Sequence, residues 1–232
     1  MRALRTLLIL LVILGGLFVG ADRLAVNLAE DEAAAKIRSA HGLSEDPSVE
    51  IRGFPFLTQV AGKELEAVDA TLHGLTAQVG GREVTITEVA ATFHNVRLTD
   101  NFSSAVAERA TGTARISYAD LTTSLPDGFT VGYAGAERAA RNQIKVEPGD
   151  GLLGRSLKVS LHSTLSVSGG DTVKLHAEEI PELPLAEDLI RSQTDLNLAV
   201  TGLPSGLKLK KAEVEEDGVV LHLAGNGVEL TA

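Results

Sequence analysis

Apolar and polar residues alternate through most of the chain after Gly42, and this pattern constrains the fold more than any other feature of the sequence. Val68, Ala70 and Leu72 alternate with polar neighbours. The same period of two recurs in residues 48–52, 84–93 and 156–167. Because alternate residues of a strand face opposite sides, the pattern indicates half-buried antiparallel strands. Three glycine-containing pairs predict hairpin turns between them: Gly80-Gly81, Gly169-Gly170 and Asp217-Gly218.

A long helix is predicted before the strands, from Asp22 to about His41, where the chain contains neither Pro nor Gly. Its apolar residues recur every three or four positions and form one stripe. That stripe consists of Val26, Ala29, Ala33, Ile37 and Ala40. Gly42 is a plausible end of the helix. The apolar stripe of this helix is narrow, and most of the strands after it have one apolar and one polar face. This combination predicts an α+β fold in which a curved antiparallel sheet is wrapped around the long N-terminal amphipathic helix.

Two shorter helices are also predicted. Ser117-Tyr-Ala-Asp120 has the pattern of a capping box and would open a helix that ends near Leu125. The second would run from Leu185 to about Ser192. No repeat or low-complexity linker divides residues 22–232, so we expect a single domain there.

The N-terminus has the pattern of an export signal. Arg2 and Arg5 precede residues 6–21, which carry no charge. At about 1.5 Å per residue these 16 residues reach roughly 24 Å, short of a hydrocarbon core of about 30 Å. Val19-Gly20-Ala21 has the small residues of a cleavage site. Residues 1–21 are therefore predicted to be a signal peptide or a signal anchor, with residues 22–232 exported to the outer face of the cytoplasmic membrane or the cell envelope.

Composition excludes several classes of protein. The chain of 232 residues has no Cys, which excludes disulfide scaffolds, thiol nucleophiles and Cys-ligated metals. Its formal net charge is −10, from 21 basic and 31 acidic residues. Because phosphate contacts need Lys and Arg, we expect no binding to nucleic acid.

Two phenylalanines flank a proline in the motif Gly53-Phe-Pro-Phe-Leu-Thr-Gln59. Phe54 and Phe56 are two residues apart, so on an extended backbone both rings would point to the same side. Pro55 cannot donate to a sheet, which places the motif at a strand end, an edge or a bulge. The rings would either plug the end of the core or line the mouth of an apolar cleft. Phe93, on the inward side of its strand, has the same two readings.

This motif, with Val60-Ala-Gly-Lys63 after it, carries a resemblance to a known family. The leader ending Gly20-Ala-Asp-Arg-Leu-Ala25 and the segments 203–209 and 217–220 extend it. The sequence resembles the actinobacterial LmeA-like phospholipid-binding family, which is similar to the tubular lipid-binding domains. The resemblance implies an exported or membrane-anchored protein that holds the acyl chains of a phospholipid in an apolar cleft and supports envelope lipid or lipoglycan assembly. The residues expected to contact lipid are Phe54, Phe56, Leu57, Leu72 and Phe93.

Motifs of common enzymes do not occur in the sequence. There is no nucleophile elbow, zinc-protease motif, P-loop or dinucleotide fingerprint. We therefore predict a protein that is not an enzyme, with no catalytic residue, no metal and no cofactor. The alternative to lipid binding is a structural or interaction module of the envelope with a filled core and no ligand. Lys208, Lys210 and Lys211 would either contact a head-group phosphate or protect an edge strand.

Overall fold

The computed structural model describes residues 2–99, 104–125, 129–148, 161–178 and 195–231. These ranges contain four helices and eleven strands. The helices are α1 (Arg2–His41), α2 (Phe56–Gly62), α3 (Tyr118–Ser124) and α4 (Ala136–Ala139). The strands are β1 (Ser48–Arg52), β2 (Glu64–Val79), β3 (Arg82–Thr99), β4 (Ser104–Ser117), β5 (Phe129–Tyr133), β6 (Gln143–Pro148), β7 (Leu161–Ser168), β8 (Thr172–Ala177), β9 (Leu196–Thr201), β10 (Leu207–Val214) and β11 (Gly218–Thr231).

All strands join one antiparallel sheet in the order β10-β11-β4-β3-β2-β9-β8-β7-β6-β5, and β1 pairs with β2 beside this path. The long strands β2, β3, β4 and β11 form one wall, and the shorter β5 to β9 form the other. The link between the walls is short, because β9 pairs with β2 only at Gln78 and Val79. A long N-terminal helix with a nearly closed antiparallel sheet confirms the predicted α+β class.

Hydrogen bonds across the open side bring the sheet close to a barrel. The Leu209 amide of β10 donates to the Gly170 carbonyl at the β7–β8 turn, at 2.7 Å. The Asn142 side chain donates from Nδ2 to the carbonyls of Leu165 (2.7 Å) and Ala212 (2.8 Å). Its Oδ1 accepts from the Val214 amide at 3.1 Å. Asn142, at φ 61°, therefore ties the β10 edge to β7.

The interior of the sheet holds two core clusters. The first lies between the two walls and takes buried residues from every strand from β2 to β11, with Val84, Leu161 and Val219 each 1% exposed. The second lies where α1 and α2 cover one end of the long wall. It consists of Val26, Phe56, Leu65, Val96, Ala107, Ala110 and Val228.

The period of two breaks where the long strands pass under α1 and α2. Asn95 in β3 and Gly227 in β11 have φ of 50° and 59°. Beyond this point Val96 is buried in the second core cluster, and Phe93, three residues earlier, packs against the same cluster. An unbroken strand would place these two side chains on opposite faces. Residues with a left-handed backbone conformation therefore bend the long wall. The alternation of apolar and polar residues alone does not predict this bend.

Helix α1 is longer than predicted, because it runs without interruption from Arg2 through the leader to His41. Of the predicted stripe, Val26 is buried, Ala29, Ala33 and Ile37 are partly buried, and Ala40 is exposed. The N-terminal part is exposed and apolar, and it is long enough to cross a membrane. This is consistent with a signal sequence or a membrane anchor.

The local predictions for the sheet region are largely confirmed. The three glycine-containing pairs all lie at hairpin turns. Ser117 caps α3, since its hydroxyl accepts from the Asp120 amide at 3.1 Å. The helix predicted from Leu185 to Ser192 and the first residues of the strand predicted over 156–167 lie outside the described residues.

Candidate functional site

The inner face of the long wall is apolar between the two core clusters. On β2, Val68, Ala70 and Leu72 lie opposite Phe93, Ala91 and Val89 of β3, in that order. On β4 the same three rows continue as Ala110, Gly112 and Ala114. One continuous hydrocarbon surface therefore runs along the wall from one cluster to the other.

The middle of this surface is covered by neither cluster. Leu72 and Ala91 are partly buried and belong to neither of the two core clusters. Val49 of β1, which lies opposite Ala70, is likewise partly buried. We call Val49, Leu72 and Ala91 the central band. It leaves apolar side chains partly open on the inner side of a curved sheet, an arrangement suited to hydrocarbon rather than to a polar ligand.

Next to the central band, β2 has a short stretch without a strand partner, within the described residues, on the edge that faces away from β3. β1 covers residues 67–71 of this edge and β9 covers residues 78–79. Within the described ranges, residues 72–77 between them pair with no strand on this side. We call this stretch the edge gap. Leu72 lies at its border, so the gap is next to the central band.

The two phenylalanines of the motif lie in different environments, so the expectation that both rings point to one side is wrong. Phe56 is the first residue of α2 and is 6% exposed in the second core cluster. Phe54 is 58% exposed. Strand β1 ends at Arg52, the chain bends at Gly53 and Phe54, and α2 begins at Phe56, so the two rings do not share one extended strand. Leu57, the next residue of α2, is partly buried.

Phe54 borders an open pocket of about 390 Å³ whose other walls include Thr58, Gln59, Leu65 and Glu66. The Gln59 Oε1 atom accepts from the Glu66 amide at 2.7 Å. The Gln59 Nε2 atom is buried and has no hydrogen-bond partner in the part of the chain that the structure describes. The pocket combines an exposed ring with a free amide donor, and it opens to solvent rather than forming a closed apolar tunnel.

Asp22 joins α1 to the phenylalanine motif. Its side chain is 0% exposed, and its Oδ1 accepts from the Leu57 amide at 2.8 Å. A carboxylate is favourable here because the first amides of α2 have no partner within that helix. Arg23 pairs with Asp22 at 3.1 Å, and its Cζ lies 5.0 Å from the centre of the Phe54 ring. Sequence reasoning missed this role; the available signal was a lone acid at the end of an apolar run.

The lysine cluster on β10 lies beside a second open pocket, of about 490 Å³, which Lys210 and Lys211 help to line. Hydrogen bonds from Lys211 and from His222 hold the pKa of Glu213 below its ordinary value. The charge of Lys211 is therefore balanced within the protein. This arrangement fits the edge-protection reading of the cluster better than a dedicated phosphate site.

Titratable side chains around the β10–β11 turn hold it in place through hydrogen bonds and ion pairs. The Tyr118 hydroxyl donates to the Glu215 carbonyl at 2.6 Å, and burial raises the Tyr118 pKa to about 12. Arg115 pairs with Glu215 and with Asp217. Across the described ranges, no three His, Asp or Glu side chains meet as a metal site.

Comparison with known proteins identifies one family. The sequence profile of the LmeA-like phospholipid-binding family matches residues 20–224. No curated protein and no solved structure matches the chain significantly. The family match covers most of the chain, from the end of the leader into the first half of β11. The chain therefore belongs to the LmeA-like phospholipid-binding family.

Proposed function

We propose that this protein binds phospholipid without catalysis in the cell envelope, with an acyl chain lying on the central band of the inner face. The observation that carries the proposal is the apolar surface between the two core clusters, where Leu72 and Ala91 stay partly open. Membership of a phospholipid-binding family supports phospholipid as the class of ligand.

A bound acyl chain would touch residues of the second core cluster at one end of the band and Leu72 at the other. Phe93 packs against the second cluster, and Phe56 is part of it. Leu72 lies beside the edge gap, which offers a lateral path from outside. An acyl chain entering there meets Leu72 first and then extends along the band towards Phe93. Phe54 and Leu57 lie outside the band, at the α1–α2 corner, where they would contact lipid from the membrane side.

Burial of hydrocarbon is sufficient to drive such binding. Each buried methylene contributes about 0.8 kcal/mol, so a dozen contribute roughly 10 kcal/mol before the costs of ordering. No bond needs to be made or broken. The protein would hold or present a lipid for other components that assemble envelope lipids.

Photo-crosslinking tests the proposal on the full chain in phosphatidylcholine vesicles. The vesicles contain a phosphatidylcholine with a photoreactive group at the acyl terminus, and cross-linked peptides are identified by mass spectrometry. We expect cross-links on residues 68–72 and 89–93 in addition to those on the apolar part of α1. Cross-links on α1 alone would refute binding at the band and favour a ligand-free structural module.

A matched pair of variants sharpens the test. Ala91→Trp fills the central band, whereas Ala90→Trp adds the same ring to the neighbouring position on the opposite face, between Thr71 and Thr113. Cross-linking at β2 and β3 should be lost in Ala91→Trp and kept in Ala90→Trp. Equal cross-linking in both variants would exclude the band as the acyl site.

A further inference from the structure

The exposed apolar surface of α1 does not end at Ala21. Leu17, Leu24 and Leu28 are 67%, 62% and 60% exposed. Their spacing of seven and four residues places them on one face of the helix. Val26, on the opposite side, is buried in the second core cluster. The face that an anchor would present to lipid therefore continues for two turns into the folded domain.

The length of the uncharged run makes this continuation necessary for a membrane span. Residues 6–21 reach roughly 24 Å, and a hydrocarbon core of about 30 Å needs about four residues more. Two charged residues lie in the way, and each has a partner within the protein. Asp22 is fully buried against α2. Arg23 pairs with Asp22 and lies over the Phe54 ring, and its long side chain can carry the guanidinium towards the head groups.

Phe54 lies at the same level as this part of α1. Its ring contacts Arg23, and the hydrogen bond from the Leu57 amide to Asp22 fixes the start of α2 against the helix. The exposed Phe54 ring extends the apolar surface of the helix at this level, and an arginine beside it is a residue type that anchors proteins at the membrane–water interface. Exposed acids begin at Asp31, roughly 15 Å along the helix from Ala21, and they mark the aqueous side.

We propose that the outer-leaflet surface crosses the protein between Leu28 and Asp31, so that Leu24, Leu28 and Phe54 are embedded in the bilayer. We call these three residues the seating surface. The occupant is the lipid layer itself, argued from the continuity of the surface with the apolar helix. The inference rests on the proposed function in that the protein works at a lipid membrane of the envelope, and it adds that residues 1–21 are retained as an anchor.

Depth measurements on the full chain test this seating. Because the chain has no Cys, single cysteines can be introduced without other changes. Leu24→Cys, Leu28→Cys and Phe54→Cys are each labelled with an environment-sensitive fluorophore in phosphatidylcholine vesicles. Asp31→Cys, on the same helix, and Lys174→Cys, at an exposed position of β8, are the controls. Nitroxide-labelled phosphatidylcholine quenches embedded labels, and iodide quenches labels in water.

We expect the three seating positions to show blue-shifted emission, severalfold stronger nitroxide quenching than either control, and severalfold weaker iodide quenching. Labels at Leu28 and Phe54 that behave like the Lys174 control would overturn the proposal, as would a membrane fraction whose mass shows only chains starting at residue 22. The cross-linking experiment is independent of this result. Seating without cross-links at β2 and β3 would refute the acyl site alone, and cross-links without seating would refute the seating alone.

Discussion

Asn142 gives the sharpest prediction about how the sheet is kept nearly closed. Its side chain makes three hydrogen bonds, to Leu165, Ala212 and Val214. Because Asn142→Ala removes all three, at about 1 kcal/mol net each, the loss is about 3 kcal/mol. Asn142 also has φ of 61°, a conformation that costs Ala roughly 1 kcal/mol more. We expect Asn142→Ala to lower the free energy of unfolding by about 4 kcal/mol.

Asn142→Gly removes the same hydrogen bonds. Glycine adopts a positive φ without the steric cost, but its freer unfolded chain costs roughly 0.5–1 kcal/mol, so we expect a loss of about 3.5–4 kcal/mol, close to that of Asn142→Ala. Asn197→Ala, at an exposed position of β9, is the control and should stay within about 0.5 kcal/mol of the wild type.

Urea unfolding of the full chain in a mild detergent, followed by circular dichroism, measures these differences. The midpoint should fall for both Asn142 variants with little change in slope. A loss below about 1 kcal/mol for Asn142→Ala would refute the view that this side chain holds β10 to β7, since that is the value of a single hydrogen bond.

Three further predictions concern single titratable groups. The absorbance difference between the wild type and Tyr118→Phe should report a phenol that ionises near pH 12 rather than at its ordinary 10.0, and stability should fall between these values as the unfolded state alone loses the proton. The lowered pKa of Glu213 stabilises the fold above its ordinary value of 4.5; this contribution is lost as pH falls through the native pKa, and Glu213→Gln should unfold with a shallower acid dependence. Asp22→Ala should increase hydrogen exchange of the Leu57 amide about tenfold, since a lost cap of about 1.4 kcal/mol corresponds to that factor, whereas unchanged exchange would refute the capping role.

Local patterns in the sequence predicted the elements of the fold well. The period of two predicted the strands, the glycine-containing pairs predicted the hairpins, and Ser117 predicted the start of α3. Each of these is decided by neighbours a few residues apart. The same holds for Val26, whose place in the apolar stripe predicted its burial.

Features that depend on distant pairing were not predictable in this way. The edge gap exists because β1 and β9, far apart in sequence, share one edge of β2. The roles of Asp22 and Asn142 depend on partners 35 residues and up to 72 residues away. Phe54 and Phe56 were separated by a turn into α2 that the motif itself does not encode. The candidate site is therefore visible in the sequence only as single apolar residues, and its shape comes from the topology.

The pairing of β4 with β11 has a consequence for the order in which the protein folds. β4 spans residues 104–117, but its partner on one side is residues 218–231. A chain made from its N-terminus therefore forms the β2–β3–β4 meander early, while the far edge of β4 stays unpaired until the last strand has been synthesised. Contacts of such high sequence separation form slowly. Throughout that interval the hydrocarbon face of the meander is open, so under the proposed function a phospholipid could be enclosed during folding rather than inserted afterwards.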